Sequence, residues 1–256
     1  MNHQKETDIN ALGAVLLHTG ALLMASGANT SRVRNTIVRI SAAFNCGSEM
    51  SISQQTLMLR IYSKNNDDFF SGFKSIPAQV SNFKLVSGIS RMSWLVAEQN
   101  WDVAQINEEV KRIKDLPHYP RIIVLSLVGL AGASFCRLAG GGFFDMLMVF
   151  AGSFCGLFVR QEATRLRFNN YICVFFAALT SALIAGLQLS VNRQGAHEYA
   201  VATSVLFLIP GVPLINSFSD MIEGNLLNGL IRGLNGFIIS FSIALGLLTA
   251  MLIYHI

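Results

Sequence analysis

The hydrophobic positions change period along the chain, and each period predicts an element. After Gly27, in GANTSRVRNTIVRI, Val33, Ile37, Ile40 and Phe44 recur at i, i+4, i+7 and i+11, while Arg32, Asn35 and Arg39 share another face. This predicts an amphipathic helix on a core, started by a cap at Asn29, Thr30 or Ser31. In EMSISQQTLMLRIYSKNNDDFFSGF the period falls to two, with Leu57, Leu59 and Ile61 alternating against Met58, Arg60 and Tyr62 and KNNDD supplying a turn. Two or three antiparallel strands are expected. Helical periodicity returns from Lys84 to Gln99, and again after Asp102, an N-cap with Gln105 three residues on, through Val103, Ile106, Val110 and Ile113. Ile9 to Ser31 carries no Asp, Glu, Lys or Arg and is long enough to span a bilayer. Its interior HTG and its ending ASGANTS favour a buried helix of a soluble domain. The first 117 residues thus read as an α+β domain with a small sheet.

LPHYPRI, residues 116 to 122, stops the preceding helix with two prolines, and the apolar segments lengthen immediately after it. Five spans are expected, at Ile122 to Leu138, Phe143 to Val159, Tyr171 to Leu189, Tyr199 to Phe218 and Leu234 to Tyr254. The predicted architecture is an α-helical polytopic membrane protein: domain 1–117, then a five-helix transmembrane domain 118–256 with one helix broken at Pro-Gly-x-Pro. Gly129, Gly132, Gly152 and Gly156 suit close helix packing in lipid.

Composition agrees with this division. The chain is 52% hydrophobic and 13% charged with a mean hydropathy of +0.48, and residues 1 to 120 hold 12 of its 19 Lys+Arg and 10 of its 15 Asp+Glu. Lys111, Arg112, Lys114 and Arg121 precede the first span, and Arg160, Arg165 and Arg167 lie between the second and third, whereas the loops after spans one and three offer only Arg137 and Arg193. The excess of basic residues on cytoplasmic loops then places the N-terminal domain in the cytoplasm and the C-terminus outside. MNHQKETDIN lacks the features of a secretory signal. A net charge of +4 without a nucleic-acid-binding pattern argues against that class of partner. Cys46, Cys136, Cys155 and Cys173 lack paired spacings, so neither a disulfide framework nor a metal site is expected. The histidines His3, His18, His118, His197 and His255 form no close ligand pair, and neither G-x-S-x-G nor a P-loop occurs. No catalytic residues and no cofactor are expected. Arg32, Arg34 and Arg39 read first as a solvated helix face, with an anionic ligand or a neighbouring domain as the alternative.

The fourth span carries the chemistry. In LFLIPGVPLINSFSDMIEGN, Pro210 and Pro213 donate no backbone hydrogen bonds, which would leave the carbonyls of Leu206 and Ile209 open in a continuous helix, and Gly211 eases a break. Pro213 suits the first turn of a new half-helix, on which Asn216, Asp220 and Glu223 share one face. A broken helix with an acid at membrane depth is a recurrent transporter site. The candidate substrate-binding residues are therefore Pro210, Gly211, Pro213 and Asn216. Asp220, Glu223 and Asp145 are candidates for proton or ion coupling, and Arg137 or Arg160 for charge balance. The alternatives are an interfacial acid beside a proline kink at Asp220 and a helix cap at Asp145.

GANTSRVRNTIVRI, HYPR at His118 to Arg121, GGGFFD at Gly140 to Asp145, RQ at Arg160 and Gln161, and LIPGVPLINSFSDMIEGNLLNGLIRG at Leu208 to Gly233 run in this order over nearly the whole chain. In these motifs the chain resembles the threonine/serine exporter family, in particular its YjjP-type subunits. The resemblance implies a secondary exporter subunit of the bacterial inner membrane, moving a small amino acid or a dicarboxylate such as succinate on an ion gradient. It also implies a separate small YjjB-type membrane subunit, and it leaves homo-oligomers open. A different class, a membrane-anchored signalling or scaffold subunit acting through its cytoplasmic domain, fits the same spans.

Overall fold

The computed structural model describes residues 8–65, 67–77, 80–117, 119–191 and 198–254. His3, His118, Arg193, His197 and His255 lie outside the described residues. The chain divides into two compact units, one running to Pro117 and taking in Val212–Gly233, the other running on to Gly211 and resuming at Leu234.

In the first unit α1 (Ile9–Ala25) and α2 (Thr30–Ala43) precede an antiparallel meander of β1 (Cys46–Ile52), β2 (Thr56–Ser63) and β3 (Phe69–Ser75), followed by α3 (Phe83–Gln99) and α4 (Val103–Lys114). The alternation in β2 is realised: Leu57, Leu59 and Ile61 are buried, while Met58 and Tyr62 face outward. α1 lies at the centre, packed on β2 and β3 and against α2, α3 and α4. Its Leu12, Leu16, Leu23 and Met24 have no exposed surface. A helix covered on several sides needs no charged face, which accounts for the uncharged run from Ile9. Val33, Ile37 and Ile40 of α2 and Ile106, Val110 and Ile113 of α4 complete the core. Asp102 and Gln105 form the expected capping box on α4.

In the second unit α5 (Arg121–Leu138), α6 (Phe143–Arg165) and α7 (Asn170–Val191) pack in sequence. α8 (Glu198–Ser204) and a 3-10 turn at Leu206–Leu208 follow. The chain then re-enters a helix as α9 (Gly211–Ile222), which from Val212 belongs to the first unit, and α10 (Leu226–Tyr254) ends it. Among the described residues four helices are long and apolar enough to cross a membrane, and five if Tyr199–Leu208 and Gly211–Ile222 count as one broken span. α10 starts two turns before the expected Leu234, and those turns, Leu226–Gly233, belong to the first unit.

Small residues set the helix spacing. A Cβ built on Gly152 would lie 2.7 Å from the Ser181 carbonyl oxygen, and one on Gly156 would lie 2.8 Å from that of Ala177, so α6 and α7 approach backbone to backbone. Such contact is what lipid-embedded helices use where apolar burial cannot drive association. Gly152→Leu should therefore force α7 away and destabilise the detergent-solubilised protein by about 1–3 kcal/mol. Gly211→Ala, whose Cβ would meet nothing within 4 Å, should be nearly neutral. Thermal unfolding of the two variants side by side checks this, and equal losses would refute it.

Candidate functional site

Two helix ends in the first unit are built alike. α1 closes with the Gly27 N–H bonded to the Met24 carbonyl and the Ala28 N–H to the Leu23 carbonyl, with Gly27 at φ +88°. α9 closes with the Gly224 N–H on the Met221 carbonyl and the Asn225 N–H on the Asp220 carbonyl at 2.7 Å, with Gly224 at φ +83°. Both are Schellman turns, in which a left-handed glycine lets the last carbonyls be satisfied. α2 begins two residues after the first turn, its Asn29 side chain accepting the Arg32 N–H at 2.9 Å. α10 begins just after the second. It approaches α9 closely, since a Cβ on Gly229 would meet the Ser217 carbonyl at 2.7 Å and one on Gly233 the Ser217 hydroxyl at 2.9 Å.

Four side chains from α9 and α10 grip residues 27–30. Asn216 Nδ2 donates to the Gly27 carbonyl at 2.7 Å, and Arg232 Nη2 to the Ala28 carbonyl at 2.9 Å. Asp220 Oδ1 accepts the Thr30 N–H at 2.8 Å, and Asn228 Nδ2 donates to Thr30 Oγ1 at 3.3 Å and to the Ile52 carbonyl at 2.7 Å. Asp220 therefore serves as an anion on one of the unsatisfied amides at the start of α2, where the helix dipole favours negative charge.

Asp220 and Arg232 also form an ion pair, Oδ2 to Nε at 3.3 Å, with side-chain exposures of 0% and 3%. The two atoms are not aligned as a hydrogen bond and have no other partner. The attraction between them is thus chiefly Coulombic, in surroundings where removing either charge strands the other. Glu223 stands just beyond α9 and is exposed, lining an open groove with Arg32, Arg39, Arg91 and Trp94.

The break falls where the chain passes from the second unit, which ends this stretch at Gly211, to Val212 of the first. Pro210 sits between the 3-10 turn and α9, and Pro213 lies in the first turn of α9, as its lack of an N–H requires. The carbonyls that a continuous helix would leave open are both met at the break: that of Leu206 accepts the Ile209 N–H at 3.2 Å and that of Ile209 the Gly211 N–H at 2.8 Å. The 3-10 turn satisfies the first, and a γ-turn centred on Pro210 the second. Instead the Ser204 carbonyl, at the end of α8, is met by side chains, Ser153 Oγ at 2.9 Å and Ser181 Oγ at 3.1 Å. Asp145 caps α6, its Oδ2 accepting the Gly142 N–H at 2.8 Å. Arg137 Nη1 donates to the Gly141 carbonyl at 3.3 Å, and Arg160 lines an open pocket of about 520 Å³ with Arg121, Gln161 and Arg165.

The structure thus brings Asn216 and Asp220 onto one loop, places Glu223 on the groove beside it, and gives Asp145, Arg137 and Arg160 surroundings within the second unit. Sequence reasoning missed Arg232, Asn228 and Thr30. For Arg232 a signal existed, because a cation inside a long apolar run needs a counter-ion. For Thr30, 190 residues from Asp220, none did. Among the described residues no three His, Cys, Asp or Glu side chains converge in a way that could hold a metal.

Helices long and apolar enough to span a membrane, a chain break at Pro210 to Pro213 and a buried acid on the half-helix that follows are features that recur in one class, the membrane transporters. Residues 14–254 match the family model described as "Putative threonine/serine exporter" (ThrE), and the chain belongs to that family. It is similar to the "Probable succinate transporter subunit YjjP" of Escherichia coli K12, 27% identical over 246 residues covering 95% of each chain. It is likewise similar to the protein of that name from Klebsiella aerogenes, 26% identical over 248 residues covering 96% of this chain and 95% of the relative. No solved structure matches. The chain is accordingly a multi-pass membrane protein of a transporter family, not an enzyme.

Stranding one charge of a buried pair costs about 3–5 kcal/mol. Asp220→Asn and Arg232→Met should each lower stability by about that amount, while the double variant, which leaves no charge unpaired, should lose much less than the sum. Denaturation of the detergent-solubilised single and double variants measures the coupling, and strict additivity would show that the two charges do not depend on each other.

Proposed function

We propose that this chain is the domain-bearing subunit of a secondary transporter that exports a small carboxylate or amino acid, a succinate-like dicarboxylate, threonine or serine, across the bacterial inner membrane. A proton gradient drives it, and a small YjjB-type membrane subunit completes it. The basic residues before α5 and after α6 support an N-terminal unit in the cytoplasm and a C-terminus outside. Residues 1–117 then form the cytoplasmic α+β domain and 118–256 the transmembrane domain, with Val212–Gly233 packed as part of the first unit.

The observation that carries this reading is the Asp220–Arg232 pair. It is a fully buried acid whose Oδ2 is held by charge alone, on a half-helix that starts immediately after the proline break. Protonation of Oδ2 cancels the attraction to Arg232 while Oδ1 keeps its amide donor at Thr30. The acid can thus change charge without losing its hydrogen bond. In the proposed cycle Asp220 takes the proton, with Glu223 and Asp145 as further acids, and residues Pro210 to Asn216 of the broken helix meet the substrate carboxylate. Arg137 or Arg160 balances charge along the path. A specific observation also favours the scaffold reading: every bond that Asp220 makes is to a group of its own unit, which a purely structural clamp would equally require.

Transport into inverted membrane vesicles containing the chain and its small partner, under an imposed proton gradient, separates the two. Wild type should accumulate one of labelled succinate, threonine or serine. Asp220→Asn should abolish this, and Asp220→Asn/Arg232→Met, which leaves no buried charge unpaired, should remain inactive. Recovery of flux in the double variant would make the carboxylate structural and remove it from the coupling step.

A further inference from the structure

Beside the loop gripped by Asp220, helices α2 and α3 border an open groove of about 600 Å³. That volume lies within the range of small-molecule sites. α2 contributes Arg32 and Arg39, seven residues and hence about 10 Å apart along one helix face. α3 contributes Ser90, Arg91 and Trp94. Arg39 is fixed in place, its guanidinium carbon 3.7 Å from the centre of the Trp94 ring and its Nη1 donating to Ser93 Oγ at 2.7 Å. That leaves most of its five donors free. Among the described residues no carboxylate lies within ion-pairing distance of Arg32, Arg39 or Arg91. Glu223 supplies the one negative charge on the lining.

A solvated helix face distributes its cations outward. Here three guanidiniums from two helices border one concavity together with serine hydroxyls, an aromatic ring and the first turn of α2. We propose that this groove binds a small dianion, a dicarboxylate or a phosphate ester, whose two negative charges are shared among the guanidiniums of Arg32, Arg39 and Arg91. A monoanion carries half the charge and gains correspondingly less. The site does not depend on the transport reading, because it lies wholly in the first unit and binding to it needs no gradient. Glu223 opposes the ligand, being a like charge on the same lining, three residues beyond Asp220.

The test is titration of the full-length detergent-solubilised chain with succinate, inorganic phosphate and acetate, read by Trp94 fluorescence and by calorimetry, with Trp101→Phe to isolate the signal. Saturable binding of succinate or phosphate, and not of acetate, is expected. Arg91→Ala, an exposed position, should weaken it about tenfold or more, as for the loss of a charge-assisted bond. Glu223→Gln should tighten it by about threefold, an increase that misfolding cannot produce. Binding of succinate alone assigns the groove to a carboxylate ligand, and of phosphate alone to a phosphate-bearing one. No saturable binding of either dianion, equal binding of acetate, or affinities unchanged in both variants would overturn the proposal. Since no flux is measured, failure here leaves the vesicle experiment to decide transport on its own.

Discussion

A carboxylate without access to water must find its donors and its counter-charge inside the protein, and Asp220 finds them on two other segments of the chain. Its Oδ1 sits on the Thr30 amide and its Oδ2 faces Arg232, which in turn holds the Ala28 carbonyl. The bond to Thr30 alone closes a loop of 190 residues. The desolvation of two ions is offset only when both are present, so the arrangement works as a unit. It also explains why Val212–Gly233, apolar enough to be taken for membrane, is part of the unit that contains the sheet. Asn216, Asp220, Asn228 and Arg232 are spent on residues 27–30 and on β1.

The two stretches that carry the family resemblance, GANTSRVRNTIVRI and LIPGVPLINSFSDMIEGNLLNGLIRG, are the two sides of this contact. Each is glycine-punctuated for the same reason. Gly27 and Gly224 end a helix in a left-handed turn, and Gly229 and Gly233 let α10 come against α9 at the Ser217 backbone and hydroxyl. In the second unit the same economy appears at the break, where Ser153 and Ser181 replace the amide that the Ser204 carbonyl would have met in a continuous helix. Irregular backbone among apolar helices is tolerated where protein groups satisfy it.

Much of the first unit was legible because its periodicities are local: the alternation in β2, the apolar stripe of α2 and the Asp102–Gln105 box all depend on residues within a few positions. The uncharged α1 was ambiguous because hydropathy does not say what surrounds a helix; neighbours on several sides do, and those are non-local. The start of α10 was missed because Asn228 and Arg232 look like loop residues in a hydropathy window. They are nevertheless buried, at 7% and 3% exposure, since each has a partner far away in sequence. Asp220 could be singled out as an expensive acid, but its counter-ion was sought among Arg137 and Arg160. The spacing of twelve residues to Arg232 crosses a helix, a turn and a second helix, and no periodic rule links such positions.

The first turn of α2 connects the clamp to the groove. Thr30 gives its amide to Asp220, while Asn29, Ser31 and Arg32 line the concavity where a dianion is proposed to bind, and Glu223 borders that concavity from the segment that carries Asp220. Two anionic demands, one from a side chain and one from the proposed solute, thus fall on one helix start, whose unsatisfied amides and dipole favour negative charge.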